Sequence, residues 1–163
     1  MAGLPIYRTA ILPEWIDYNG HLRDAYYTLI VSLASDALMD RIGMDAAYRE
    51  RTGGTLFTLE MHLHYLHEVT QTDTAIVNVR IIGTDRKRIH AAFELLREGK
   101  DGVAATAEVM LLHVQQTAGK AVTSPFPPEV AAALAELQAA STTLEPSGPL
   151  SRRMELRSPT RTA

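Results

Sequence analysis

The 163 residues carry a formal net charge of −3, with 46% apolar and 21% charged side chains and no cysteine. That length suits one domain with a real core, and the charge gives no reason to expect nucleic acid or a charged membrane as a partner. The missing cysteines exclude disulfides, thiolate nucleophiles and thiolate-held metal; the expected setting is the cytoplasm, with no signal peptide and no apolar run approaching the roughly 18 residues of a membrane helix.

In chain order, Ile6 to Leu12 is short and apolar and is stopped by Pro13, which predicts a first strand. The loop "PEWIDYNGHLRDAYY", Pro13 to Tyr27, follows. Apolar residues then fall at Tyr26, Leu29, Ile30, Leu33, Ala34, Ala37, Leu38 and Ile42, a helical period that predicts one long helix over Arg23 to Ile42. Gly43 is placed to end it. Asp45 to Arg51 reads as a short helical turn, broken at Thr52-Gly53-Gly54.

The remainder reads mostly as strands. Thr55 to Glu68 alternates, with Leu59, Met61, Leu63 and Tyr65 on one face and Thr58, Glu60, His62 and His64 on the other. Thr74 to Thr84, Arg88 to Arg97 and Val103 to Val114 complete an antiparallel meander with short links. Glu129 to Ala140 is Ala-rich and helical, and residues 141–163, without periodicity, are expected to form a mobile tail after a domain spanning 1–140. The expected class is α+β: a five-stranded antiparallel sheet around one long helix, plus a short C-terminal helix. Its open edge strands would be covered by a second copy, a homodimer or homotetramer.

Several chemistries lack their motifs. There is no G-x-S-x-G, no phosphate-cradling glycine loop and no zinc-protease His pair. Glu60, His62 and His64 share a strand face and could ligate a metal with His67 or His90, but no third ligand is fixed by the sequence, and a polar face turned to solvent or a partner is the favoured reading. Arg86, Lys87 and Arg88 sit at a hairpin tip, either as a solvated turn or as a phosphate site.

The helix entrance carries more. Asn19-Gly20 is a turn, and Asp24 suits the positive end of a helix. Those roles leave His21, Trp15 and Tyr18 unused. Unpaired N–H groups at a helix start can stabilise a carbonyl oxygen as it becomes an oxyanion, and Gly20 permits close approach of a ligand. Asp17, one short loop away, can attack the carbonyl carbon or activate water; His21 can orient groups or handle a proton.

The element order, with "DYNGH" from Asp17 to His21 at the helix entrance, resembles hotdog-fold acyl-CoA thioesterases of the 4-hydroxybenzoyl-CoA thioesterase-like group, over roughly Ile6 to Val114. The resemblance implies Asp17 as nucleophile or general base, Gly20 in the loop, the backbone amide of Asp24 as carbonyl donor, and Tyr27 as an aromatic of the first turns. It implies no metal and no cofactor beyond CoA in the substrate, sites at a dimer interface, and basic residues near the CoA phosphates, which favours Arg86, Lys87 and Arg88. The stretches "FTLEMHLHYLHEV", "ATAEVMLLHV" and "SPFPPEV" are similar to a narrower group, the betainyl-CoA thioesterases of carnitine breakdown. That implies a short acyl group with a trimethylammonium, held by aromatic faces and a carboxylate. Trp15, Tyr18, Asn19 and Tyr26 lie near Asp17 in sequence, and Asp24 or Glu60 could balance the charge. A same-fold hydratase or dehydratase, and a non-enzymatic acyl-CoA or small-ligand binding module, are the competing readings.

Overall fold

The computed structural model describes residues 3–117, 119–141 and 148–150. Strand β1 (Leu4–Ala10) leads through a 3-10 turn at Pro13–Trp15 to helix α1 (Asp24–Arg41), a short α2 (Ala46–Thr52), strands β2 (Gly54–Tyr65), β3 (Thr74–Thr84), β4 (Arg88–Arg97), β5 (Val103–Thr117) and β6 (Lys120–Thr123), and helix α3 (Pro128–Ser141). The strands form one antiparallel sheet in the order β1-β3-β4-β5-β2, with β6 paired to the end of β5. This is the hotdog arrangement, a curved sheet around a long helix.

One sheet face is apolar by strict alternation. Val77, Val79, Ile89, Ala91, Phe93, Leu95, Ala105, Ala107, Val109 and Leu111 are all buried in one cluster with α1. Phe93 lies between Val79 and Ala107 in register, so a large ring is matched by a small neighbour. From α1 the cluster receives Tyr27, Ile30, Val31, Ala34 and Leu38. The expected stripe is therefore rotated. Tyr26 is only partly buried and Leu29 is 39% exposed, because α1 carries apolar residues on a second side that the sheet does not reach. Burying Ile30 and Leu38 completely contributes about 1.5–3 kcal/mol each. The helix ends where expected: Gly43 has φ 82°, its N–H bonds the Asp40 carbonyl, and Met44 N–H reaches back to Met39 O at 2.8 Å.

Two features depart from the expected meander. The register of β2 against β5 slips between Thr58 and Glu60, so Leu59 is an extra, bulged residue. Leu56, Met61 and Leu63 pack on the core, whereas Leu59 is 55% exposed. The expected last strand also continues past Val114 to Thr117 and returns as β6 after Gly119, whose φ is 78°. Its four residues are all exposed, so no alternation announced it.

The other sheet face is polar yet covered: Asn78, His90, Glu94, Thr106 and Glu108 are buried, with His90 Nε2 2.6 Å from Glu108 Oε1. Ser141, the last residue of α3, accepts from Ile81 N–H at 3.2 Å and donates to Leu137 O at 2.7 Å, fastening the helix to β3. Thr106 Oγ1 donates to Pro149 O at 2.6 Å. Of the expected tail, residues 142–147 and 151–163 lie outside the described residues. No helix among the described residues is long and apolar enough to cross a membrane.

Candidate active site

The loop before α1 is built around Asp17. Its Oδ1 accepts from Asn19 N–H at 2.8 Å and His21 N–H at 3.2 Å, and its carbonyl accepts from Gly20 N–H at 3.1 Å. This is an Asx-type turn, and Gly20 takes the left-handed conformation it needs, φ 83°. The turn is stitched to the segment between β2 and β3: Leu22 N–H donates to Val69 O at 2.7 Å, and His21 bridges to Thr70. Asp73 fixes that segment by accepting from Thr70 N–H (2.8 Å) and Thr70 Oγ1 (3.0 Å). Partial desolvation would raise the Asp17 pKa, but the N–H groups of His21 and Asn19 outweigh it and hold the carboxyl below its ordinary 3.8. Asp17 is therefore an anion throughout the neutral range.

At the start of α1, Asp24 N–H has no acceptor among the described residues. The Ala25 N–H is taken by the Asp24 carboxylate at 2.8 Å, and Tyr26 N–H by Arg23 O at 2.9 Å. Asp24 N–H is thus a main-chain donor left open at the helix start. Tyr65 leans over this turn, its hydroxyl 3.4 Å from Asp24 O, and meets Tyr27 edge to face at 5.2 Å. Burial raises the pKa of both phenols, so both are neutral.

Asp17, His21, Leu22, Asp24, Tyr27, Tyr65, Leu66, His67 and Glu68 line one open cavity of about 350 Å³. His21 Nε2 lies 3.2 Å from Glu68 Oε2. Three carboxylates face this space and no Lys or Arg lines it. A carboxylate, an open N–H and a neighbouring imidazole are the parts needed to polarise a carbonyl and bring a nucleophile to it.

Of the residues expected here, Asp17, His21, Asp24 and Tyr27 meet at the cavity, and Asn19 and Gly20 shape its rim. The others are elsewhere. Trp15 is buried and stacks on Tyr26 at 5.4 Å, bracing the loop on the helix, so neither ring lines the cavity. Tyr18 points outward at 93% exposure. Glu60 pairs with His62 at 2.7 Å on the edge strand, and no metal-capable group of three lies among the described residues. Arg88 is held by Asp85 through contacts of 2.7 and 2.6 Å, while Arg86 is exposed. Arg88 is level with Phe57 across β5, and the cavity lies at the Tyr65 end of β2. Eight strand residues at roughly 3.3 Å put the basic tip about 25 Å away within one chain. The sequence reading missed Tyr65, Leu66 and Glu68, which arrive from the far end of β2. The only signal in the sequence is that "YLHEV" crowds an aromatic, a His and a Glu where the alternation stops.

The family model of the thioesterase-like superfamily matches residues 11–134, from the loop before α1 through strands β2 to β6. The chain belongs to that superfamily. A betainyl-CoA thioesterase of Pseudomonas aeruginosa is 48% identical over 136 residues, 82% of this chain and 84% of that one. An L-carnitine dehydrogenase/betainyl-CoA thioesterase of Rhizobium meliloti is 38% identical over 126 residues, covering 77% of this chain and 25% of the longer protein. A Pseudomonas putida KT2440 crystal structure, solved as a candidate thioesterase, is 42% identical with TM-score 0.80, covering 97% and 99% of the two chains. A Staphylococcus aureus protein in complex with CoA is 27% identical with TM-score 0.77, covering 98% of each.

Proposed function

We propose that this chain is an acyl-CoA thioesterase that releases CoA from a small acyl group, betainyl-CoA being the substrate its relatives point to. The observation that carries the reading is the shared opening of an ionised Asp17 and an unaccepted Asp24 N–H onto one cavity. In this reading the thioester oxygen takes the Asp24 N–H, where charge develops as the carbonyl carbon becomes tetrahedral. Asp17 either removes the proton of an attacking water or attacks that carbon itself; the C–S bond breaks with CoA leaving as its thiolate, and in the second case water then hydrolyses the mixed anhydride to free acid and the Asp17 carboxylate. His21, paired to Glu68, positions the loop and carries protons at its rim.

The cavity is open on one side, and β2 ends the sheet with Phe57 and Leu59 at 41% and 55% exposure. A second copy pairing antiparallel along β2 covers that edge. Pairing centred on Leu59 would also bring the second copy's basic hairpin tip towards the level of this chain's Tyr65, where CoA phosphates leaving the cavity would meet Arg86 and Lys87. A cysteine-free chain suits a reducing cytoplasm, where acyl-CoA is made and used.

The test is thiol release from a panel of CoA esters that includes betainyl-CoA, read with a colour reagent. Turnover with preference for betainyl-CoA is expected. Enoyl absorbance changing without thiol release would move the assignment to a hydratase, and binding without either change to a carrier.

A further inference from the structure

A betainyl group is trimethylammonioacetyl: its quaternary nitrogen is two bonds from the thioester carbonyl carbon, about 2.5 Å by ordinary covalent geometry. Whatever recognises the cation must therefore stand beside the group that holds the carbonyl. If the carbonyl sits at Asp24 N–H, the cation is forced against the first turn of α1. That is the positive end of a helix, which by itself repels it. The residues around this point offset that repulsion. The Asp24 carboxylate folds onto the same turn, bonded to Ala25 N–H at 2.8 Å. Tyr65 lies across the turn with its hydroxyl 3.4 Å from Asp24 O, and Tyr27 meets it edge to face. Glu68 stands on the cavity wall beyond them.

We infer that Tyr65 and Tyr27, with the carboxylates of Asp24 and Glu68, form the subsite that selects a quaternary-ammonium acyl group over a neutral one of the same shape. This rests on the thioesterase reading above. Methylated ammonium cannot donate hydrogen bonds, so the surroundings it favours are aromatic faces and delocalised negative charge, which this wall of the cavity supplies. A neutral acyl group of the same volume gains nothing from the carboxylates and leaves them to be desolvated without compensation. The inference also gives Asp24 two separable roles: its backbone N–H serves the carbonyl of any acyl group, and its side chain serves only a cationic one. It moves recognition away from Trp15 and Tyr26, which are occupied with each other.

The experiment compares betainyl-CoA with its neutral isostere, 3,3-dimethylbutanoyl-CoA, in which carbon replaces the quaternary nitrogen. Wild type, Asp24→Asn, Tyr65→Leu and Glu68→Gln are measured on both. Asp24→Asn retains the amide and an oxygen for Ala25 N–H; Tyr65 and Glu68 are exposed enough to change without loss of the fold. The ratio of kcat/KM for the cationic over the neutral ester is expected to fall about five- to thirtyfold in Asp24→Asn and in Tyr65→Leu, and less in the more exposed Glu68→Gln. Calorimetric binding of the same two esters in an Asp17→Asn background gives the ratio without turnover. If wild type shows no preference for the cation, or the ratio stays constant across the variants, the subsite is overturned while thiol release still supports the thioesterase reading. If neither ester releases thiol but the binding ratio falls as stated, the subsite stands and the hydrolytic reading is lost.

Discussion

Replacing Asp17 by Asn separates its structural and chemical work. In the fold, Asp17 Oδ1 accepts from Asn19 N–H at 2.8 Å and from His21 N–H at 3.2 Å. An Asn oxygen can accept both, so the turn and its bridges to Val69 and Thr70 remain, and circular-dichroism melting curves should superimpose on those of wild type. What Asn lacks is the anion. Removing a positioned carboxylate that acts as base or nucleophile costs a factor of at least 10² to 10⁴ in kcat, while the Asp24 N–H and the cavity walls still bind the ester, so KM should change little. The same two N–H groups that hold the Asp17 pKa below 3.8, against the opposing effect of desolvation, also fix the pH dependence. A depressed carboxyl is protonated only in acid, so any loss of kcat/KM through protonation of Asp17 is centred below the ordinary carboxyl value of 3.8. The assay is thiol release on purified, folded protein between pH 4 and 8. A folded Asp17→Asn enzyme retaining more than a tenth of wild-type kcat would refute the reasoning, because no other carboxylate lining the cavity accepts from two main-chain N–H groups.

Reversing charge at Arg86 and Lys87 should raise KM for a CoA ester about tenfold, with kcat nearly unchanged; an N-acetylcysteamine thioester, which has no phosphates, should show no such rise, and equal effects on both esters would remove the tip from CoA binding. Leu59→Arg places a charge on the exposed bulge of β2 without touching the core, so light scattering after size exclusion should show monomers and activity should fall with them; an unchanged mass would place the interface elsewhere. Asp73→Asn should destabilise the protein by about 1–3 kcal/mol at pH 7 in urea unfolding, since the ion pair of the buried Asp73 with Lys100 is lost while an amide oxygen keeps the Thr70 bonds. Burial pushes the Asp73 pKa up, but Lys100 and Thr70 outweigh it and bring it below 3.8. A depressed folded pKa gives stability that is present above the unfolded value and lost as pH falls through the folded one, so the gap between wild type and variant should be full at pH 7 and should close below pH 4.

Local chemistry made much of this molecule legible before folding. The period of α1, its stop at Gly43, and the turn Asp17-Tyr18-Asn19-Gly20 all depend on residues within a few positions of one another, and all lie close to where the pattern put them. Strand β3 followed from its β-branched run, and β4 from Ile89, Ala91, Phe93 and Leu95 on one face, which the structure buries in the core. Alternation failed at β2, where one bulged residue shifts the face of everything before it, and at β6, which buries nothing.

Within the site, the division follows sequence distance. Asp17, His21 and Asp24 stand within eight residues, so the helix entrance that holds them could be read from spacing alone. The partner wall could not: Tyr65 and Glu68 reach the same cavity only because β2 runs back beneath α1 and delivers them some 40 residues later. Nor could the aromatics be sorted in advance, since Trp15, Tyr26 and Tyr27 have the same local claim. Rotation of α1 on the sheet turns Tyr27 inward and leaves Tyr26 to stack on Trp15. Short-range hydrogen bonding and periodicity are properties of the chain itself; which side chains share a cavity depends on how far apart strands and helix settle when the core packs.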